Sequence, residues 1–308
     1  MIHLYPLLFA IGVHTAPTTE PRYAGAVEGT WDGAFRPAIV HMYMRIDRER
    51  GYNTFGRTYS LEELSDFRRE KRAVGFELRR NAGTFRFDGA AVDLRATGTF
   101  EFIPSSAYRK AAEKLGFRKL DRHHQLNFAL HDVTLEELRY LRRVLGTRIT
   151  STDLVQLFDR GVTPEYVRDL AGVGFARLKP EQLVRIRDIG VDADYVRGLR
   201  AAGLPLSQLE DFVKARNAGL SAEYIQSLSD VGLLNLTLAE YITLQNADVT
   251  AEYAASIYEL GYSACDVTDL VRMRNQGITA SYIRKANKQA GEQLSMSELV
   301  RYRTRGDY

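Results

Sequence analysis

The chain has 308 residues, room for two domains of ordinary size and a substantial core. Apolar residues at 45% and charged residues at 26% match a folded protein and exclude a disordered one. Forty-two Lys and Arg against thirty-nine Asp and Glu leave +3, which singles out no polyanionic partner; the one cysteine, Cys265, excludes an internal disulfide or a thiolate-rich metal site.

Residues 4–13, LYPLLFAIGV, form an apolar run too short to span a bilayer as a helix. Its position suits the h-region of a secretory signal with the small-residue stretch His14-Thr15-Ala16 after it, although no Lys or Arg precedes it and Pro17 follows the cleavage point. Residues 1–22 are therefore expected to be a signal or leader segment, which makes the protein extracytoplasmic, periplasmic or secreted. The alternatives are a mis-set start codon or a first strand, and a chain without a signal is cytoplasmic. No later segment approaches the length of apolar residues that a membrane span needs.

Residues 23–104 read as an antiparallel β domain. Candidate strands are 27–35, 38–46, 52–59, 74–80, 83–88 and 98–102, with clear alternation in Phe76-Glu-Leu78-Arg and Thr84-Phe85-Arg-Phe87. Asn81-Ala-Gly83 and Asp88-Gly89 are the expected hairpin turns. The predicted result is a meander curled into a sandwich or small barrel. Pro104-Ser105-Ser106 then opens a helix through Lys114, and 105–131 is expected to be a helical linker.

The remainder, 132–308, is built on a repeat. Gly161-Val-Thr-Pro-Glu-Tyr166-Val recurs as Gly190-Val-Asp-Ala-Asp-Tyr195-Val, Gly219-Leu-Ser-Ala-Glu-Tyr224-Ile, Asp248-Val-Thr-Ala-Glu-Tyr253-Ala and Gly277-Ile-Thr-Ala-Ser-Tyr282-Ile. The tyrosines are 29 residues apart without an insertion, and Asp132-Val133-Thr134 is a diverged first copy with Glu137 in place of the tyrosine. About six units are expected. Each unit reads as two short helices. The first is capped by Thr163, Asp192, Ser221, Thr250 or Thr279 and closed near Gly174, Gly203, Gly232 or Gly261. The second opens on signals such as Thr237-x-x-Glu240, Asp266-x-x-Asp269 and Ser295-x-x-Glu298. Helices this short are marginal alone, so each hairpin must bury its stripe against its neighbours, giving an α-solenoid. The fold class is α+β.

Gly75-Phe76-Glu-Leu78-Arg-Arg80-Asn81-Ala82-Gly83-Thr84-Phe85, Gly98-Thr99-Phe100-Glu-Phe102-Ile-Pro104, His131-Asp132-Val133-Thr134 and the repeated Gly-Val-Thr-Pro-Glu-Tyr-Val carry a resemblance over residues 25–308. The chain resembles an uncharacterised bacterial family whose members also occur as the extracytoplasmic tail of membrane metallopeptidases of the antibiotic-sensor (penicillinase antirepressor) type. It departs from the peptidase members in lacking membrane helices and a His-Glu-x-x-His, so the resemblance implies an accessory or stand-alone module and not proteolysis.

The residues themselves offer little chemistry. His3, His14, His41, His123, His124 and His131 lack the helical spacing with a carboxylate that a zinc site needs, and no metal or cofactor is expected. No nucleophile elbow, phosphate loop or dinucleotide fingerprint occurs, and catalytic residues are expected to be absent. Cys265 shares a repeat column with Leu178, Leu236 and Leu294 and reads as a buried filler. Gly29-Thr30-Trp31 is similar to the opening of lipocalin-like barrels, with Trp31 expected in the core.

The most suggestive constellation is a double basic column on the second helices. Arg185, Lys214, Arg272 and Arg301 share one repeat position, interrupted by Thr243; Arg187, Arg216, Arg274 and Arg303 share another, interrupted by Gln245. One reading is a stripe for an acidic partner such as nucleic acid. The other is an inter-repeat buttress, with Arg187 reaching Asp194 and Arg216 reaching Glu223. From 161 to 308 there are 17 Lys and Arg against 19 Asp and Glu, so the solenoid is not basic and the buttress is favoured. The expected function is a non-enzymatic scaffold that binds a protein or peptide outside the cytoplasm. The alternatives are a β domain that binds a small ligand and relays occupancy through the solenoid, and a nucleic-acid-binding repeat.

Overall fold

The structure, a computed structural model, describes residues 25–47 and 51–305; the leader expected at 1–22 lies outside them. It divides into two compact units after Leu138.

The first unit holds one antiparallel sheet of seven strands: β1 (Val27–Phe35), β2 (Ile39–Asp47), β3 (Tyr52–Ser60), β4 (Leu64–Glu70), β5 (Ala73–Arg80), β6 (Gly83–Val92) and β7 (Arg95–Pro104). Their order is β3-β2-β1-β7-β6-β5-β4. An antiparallel β region ahead of the helices is thus as predicted, but the sheet is open, neither a sandwich nor a closed barrel. Its edges β3 and β4 are consecutive in the chain, joined by a 3-10 turn at Leu61–Glu63. Four Cα steps from Ser60 to Leu64 reach at most about 15 Å, whereas the edges of a flat seven-strand sheet lie about 29 Å apart. The sheet is therefore tightly curled at this corner. Closure fails beyond it because β4 is bulged between Ser65 and Arg68, with Asp66 left-handed, and bends away.

β4 itself is not among the expected strands. Its sequence, LSDFRRE, buries only Leu64 and carries no alternation. Asp88-Gly89 is likewise not a turn: β6 continues to Val92, and Gly89 faces Gly98 of β7. A Cβ on Gly89 would come within 2.4 Å of the Thr97 carbonyl and 3.1 Å of the Trp31 ring, so the glycine makes room for strand and indole together. Trp31 is buried, edge-on to Phe76 at 5.2 Å and Phe87 at 5.6 Å, and its Nε1–H donates to the Asp88 carbonyl. Val40, Met42, Met44, Phe85, Phe100 and Phe102 fill the rest of this face.

Two helices, α1 (Ser106–Lys114) and α2 (Arg122–Leu130), complete the unit. They occupy the stretch expected as a linker, but they share the pattern of the later hairpins. Ser105 caps α1 by accepting from the Tyr108 N–H, Gly116 closes it with φ +94°, and the Tyr108 hydroxyl donates to the Val133 carbonyl at 2.8 Å. These are the positions of Ser221, Tyr224 and Gly232 four copies earlier in register. The first hairpin is thus fused to the sheet: α2 packs on β1, β6 and β7, and Gln125 donates its Nε2 to the carbonyls of Ala82 and Ser105 at 3.0 and 2.8 Å.

The remaining helices pair as α3 (Leu135–Leu145) with α4 (Ser151–Asp159), α5 (Pro164–Gly172) with α6 (Pro180–Asp188), α7 (Ala193–Ala201) with α8 (Leu209–Asn217), α9 (Ala222–Asp230) with α10 (Leu238–Asn246), α11 (Ala251–Tyr258) with α12 (Val267–Asn275), and α13 (Ala280–Ala290) with α14 (Met296–Arg305). The described residues therefore hold seven hairpins, one more than the sequence suggests. In the second unit α5, α7, α9 and α11 stack as one layer and α8, α10, α12 and α14 as another. Val162, Leu170, Leu183, Ile186, Val191 and their repeat equivalents are buried between the layers.

Candidate functional site: the hairpin surface

Each repeat tyrosine sits at the foot of a first helix, where the preceding cap fixes it: Thr163, Asp192, Ser221 and Thr250 accept from the backbone N–H of Tyr166, Tyr195, Tyr224 and Tyr253. The hydroxyls then cross to the next unit. Tyr166 donates to the Val191 carbonyl at 2.6 Å, Tyr195 to Leu220 at 3.0 Å, Tyr224 to Val249 at 2.7 Å and Tyr253 to Ile278 at 2.8 Å. Burial pushes the phenol of Tyr195 up to about 12, so it stays a donor at any physiological pH. Tyr282 is capped in the same way by Thr279.

The second basic column lies on these rings. The guanidinium of Arg187 stands 4.9 Å from the Tyr166 ring centre, Arg216 4.8 Å from Tyr195, Arg274 5.2 Å from Tyr253 and Arg303 5.1 Å from Tyr282. Each therefore clamps its own unit and does not reach into the next. The expected Arg187–Asp194 pair is replaced by Asp194 with Arg197 at 2.6 Å, and the carboxylate of Glu223 is held by its own helix start and Ser221. The reason is distance along the hairpin. The guanidinium of Arg216 closes over the left-handed Gly190, with Nη2 3.0 Å from where a Cβ would sit, and its Nε–H donates to the Ile189 carbonyl at 3.3 Å. Arg303 does the same at Gln276 with 3.2 Å. Where Asp248 replaces the glycine, Arg274 ion-pairs with it. The first column differs: Arg185 bridges to Glu210 of the next unit at 2.6 Å, Lys214 pairs with Asp211 in its own helix at 3.2 Å, and Arg272 and Arg301 are exposed.

Between α4 and α6 lies a groove of about 990 Å³ that the repeat pattern does not announce. Leu145, Ile149, Leu157, Val184 and Ile189 form its apolar part, and Arg148, Asp153, Arg160, Glu181, Arg185 and Asp188 its charged rim, with Arg160 3.5 Å from Asp188. One signal of it is present in the sequence. Gly146 stands one place beyond the column of Gly116, Gly174, Gly203, Gly232 and Gly261, and α3 is eleven residues long where α5 is nine. Leu145 thus fills a slot that glycine holds in five of the other copies; Ala290 fills it in the last, where Gly291 is displaced in the same way.

The histidines take local roles. His41 bonds Thr58 at 2.7 Å, His124 bonds Asp121 as part of the α2 cap, and His131 Nε2 receives Arg57 Nη2 at 3.1 Å. Burial, then the Arg57 charge, pushes the His131 imidazole down to about 4. His3 and His14 lie outside the described residues. Among the described residues no group of three or more His, Cys, Asp or Glu could hold a metal ion. Cys265 is buried beside Met296, and burial raises its thiol to about 11. No helix among the described residues is long and apolar enough to cross a membrane. Comparison with models of protein families and with curated protein sequences finds no match.

Proposed function

We propose that the protein is a non-enzymatic scaffold whose hairpin stack binds a protein or peptide, with the α4–α6 groove as the receiving surface. The observation that carries this reading is the groove itself: apolar side chains under a rim of both charge signs, between the second helices of two neighbouring hairpins. Rigid presentation lowers the ordering cost of binding, and an extended partner suits a surface that continues from one repeat to the next. The work is done outside the cytoplasm, as the family resemblance implies. The small-ligand reading has less support, because aromatic and methionine side chains fill the buried face of the sheet. The nucleic-acid reading has less still: four of the basic side chains are engaged with tyrosine rings, and residues 161–308, which carry both basic columns, hold more acid than base.

A displayed peptide library selected on the full chain tests this. Peptides that combine apolar and charged residues should be enriched. Their binding should fall at least about tenfold, roughly 1.4 kcal/mol, in Leu145→Glu and in Arg148→Asp. Enriched peptides that bind both variants as well as the native chain overturn the assignment of the groove; no enrichment at all overturns the scaffold reading.

A further inference from the structure

The two edges of the sheet are built differently. β4 is guarded: seven residues, a bulge, a left-handed Asp66, and the charges of Asp66, Arg68, Arg69 and Glu70, the devices by which edge strands avoid pairing with other chains. β3 has none of these. It keeps unbroken register with β2 over nine residues, contains no proline or lysine, and is rich in aromatic and β-branched residues. Its one charged side chain, Arg57, is engaged with His131.

Register fixes which backbone groups of β3 point outward. Arg36 N–H donates to the Ile39 carbonyl and Leu61 N–H to the Ala38 carbonyl. By the alternation of an antiparallel ladder, β2 then bonds β3 through Val40, Met42, Met44 and Ile46, opposite Tyr59, Arg57, Phe55 and Asn53. Tyr52, Thr54, Gly56 and Thr58 therefore aim their N–H groups at the free edge. Ser60, next in that series, confirms the direction, since its N–H is taken by Glu63 Oε1 at 2.8 Å. All four are exposed, and no described group accepts from their N–H.

We propose that β3 pairs antiparallel with β3 of a second copy, about a two-fold axis at Gly56, to form one continuous sheet across a homodimer. The strand is close to its own mirror image about that residue. Thr54 meets Thr58 of the second copy, Gly56 meets Gly56, and every outward N–H at these positions finds a carbonyl. No like charges are opposed, because Arg57 lies opposite Phe55 of the second copy. One exposed aromatic fits the same axis: Tyr43 of β2, 66% exposed, stands opposite Gly56 with its ring over that glycine. Pairing sets the two Tyr43 rings on either side of the paired glycines, whose missing side chains leave them room to approach. A foreign strand needs none of this mirror relation.

Sedimentation equilibrium of the full chain, with thermal melting to verify that each variant folds, tests the proposal. The native chain should show a monomer–dimer equilibrium. Thr54→Lys with Thr58→Lys sets two pairs of ammonium groups face to face across the axis and should raise the dissociation constant at least about tenfold. Thr54→Glu with Thr58→Lys sets opposite charges face to face and should restore it. A native chain that stays monomeric, whether or not it takes up an unrelated extended peptide at this edge, overturns the proposal. So does a double-lysine variant that dimerises like the native chain, or a Glu/Lys variant no better than it.

Discussion

In the sheet, a single side chain ties together distant parts of the chain: Trp31 on β1 touches Phe76 of β5 and Phe87 of β6 and bonds a carbonyl 57 residues away. In the hairpins the same accounting stays between neighbours: Tyr166, Tyr195, Tyr224 and Tyr253 each reach 25 residues forward to the next unit. Both regions bury aromatic and aliphatic side chains completely, so the difference lies in connectivity and not in packing. Order in the sheet is shared by all its strands, whereas order in a repeat stack is a sum of units and nearest-neighbour interfaces. One consequence is that equal injuries should have unequal reach.

The largest expected effect tests that contrast. Phe76→Ala should cost about 3–5 kcal/mol and Leu228→Ala about 2–5 kcal/mol. Hydrogen exchange should then separate them. The first should loosen all seven strands, and the second only α7–α12, with the sheet amides unchanged. Faster exchange in the sheet of Leu228→Ala would break the comparison.

A second effect is confined to the first unit. The folded state keeps His131 neutral down to about pH 4, whereas an unfolded imidazole binds its proton near 6.5. Between these values the unfolded state holds more protons, so stability falls as pH drops from about 6.5 toward 4. Denaturant titrations across that window should show the sheet unit weakening. His131→Gln, which can still accept from Arg57, should flatten the slope; an unchanged slope would assign the pH dependence to other groups.

The smallest effects sharpen the account of the clamps. Arg216→Ala should cost about 1 kcal/mol, the worth of an exposed cation–π contact and a backbone hydrogen bond. Gln245→Arg should gain about 0.5–1 kcal/mol by placing a guanidinium over Tyr224 as in the other units. Melting temperatures that move the same way in both would refute the clamp.

The hairpins were legible because their period is written in residues with one conformational job each: capping Thr, Asp and Ser, left-handed Gly, stapling Tyr. The first copy escaped notice where those residues change. Ile103, in β7, stands where the later units open with glycine or aspartate, and Gln125 in the leucine column and Ala129 in the arginine column belong to a helix that packs on the sheet. β4 escaped because an edge strand that buries one side chain carries no alternation to read. The direction of Arg187 and Arg216 was not legible either: sequence spacing offers an acid seven residues ahead, but the bend at Gly190 brings an aromatic face nearer. The groove depends on how far apart two helices stand, which only a glycine displaced by one position hints at.

Because the units that open at Gly190, Gly219, Asp248 and Gly277 each receive the preceding unit's phenol on the carbonyl of their second residue, these copies are interchangeable at their seams. Excising one period, such as 190–218, would bring Tyr166 to the Leu220 carbonyl with the phase intact. Unequal recombination within the gene can therefore shorten or lengthen this half of the protein without redesigning a joint, while the sheet, whose strands all depend on one another, has no such freedom.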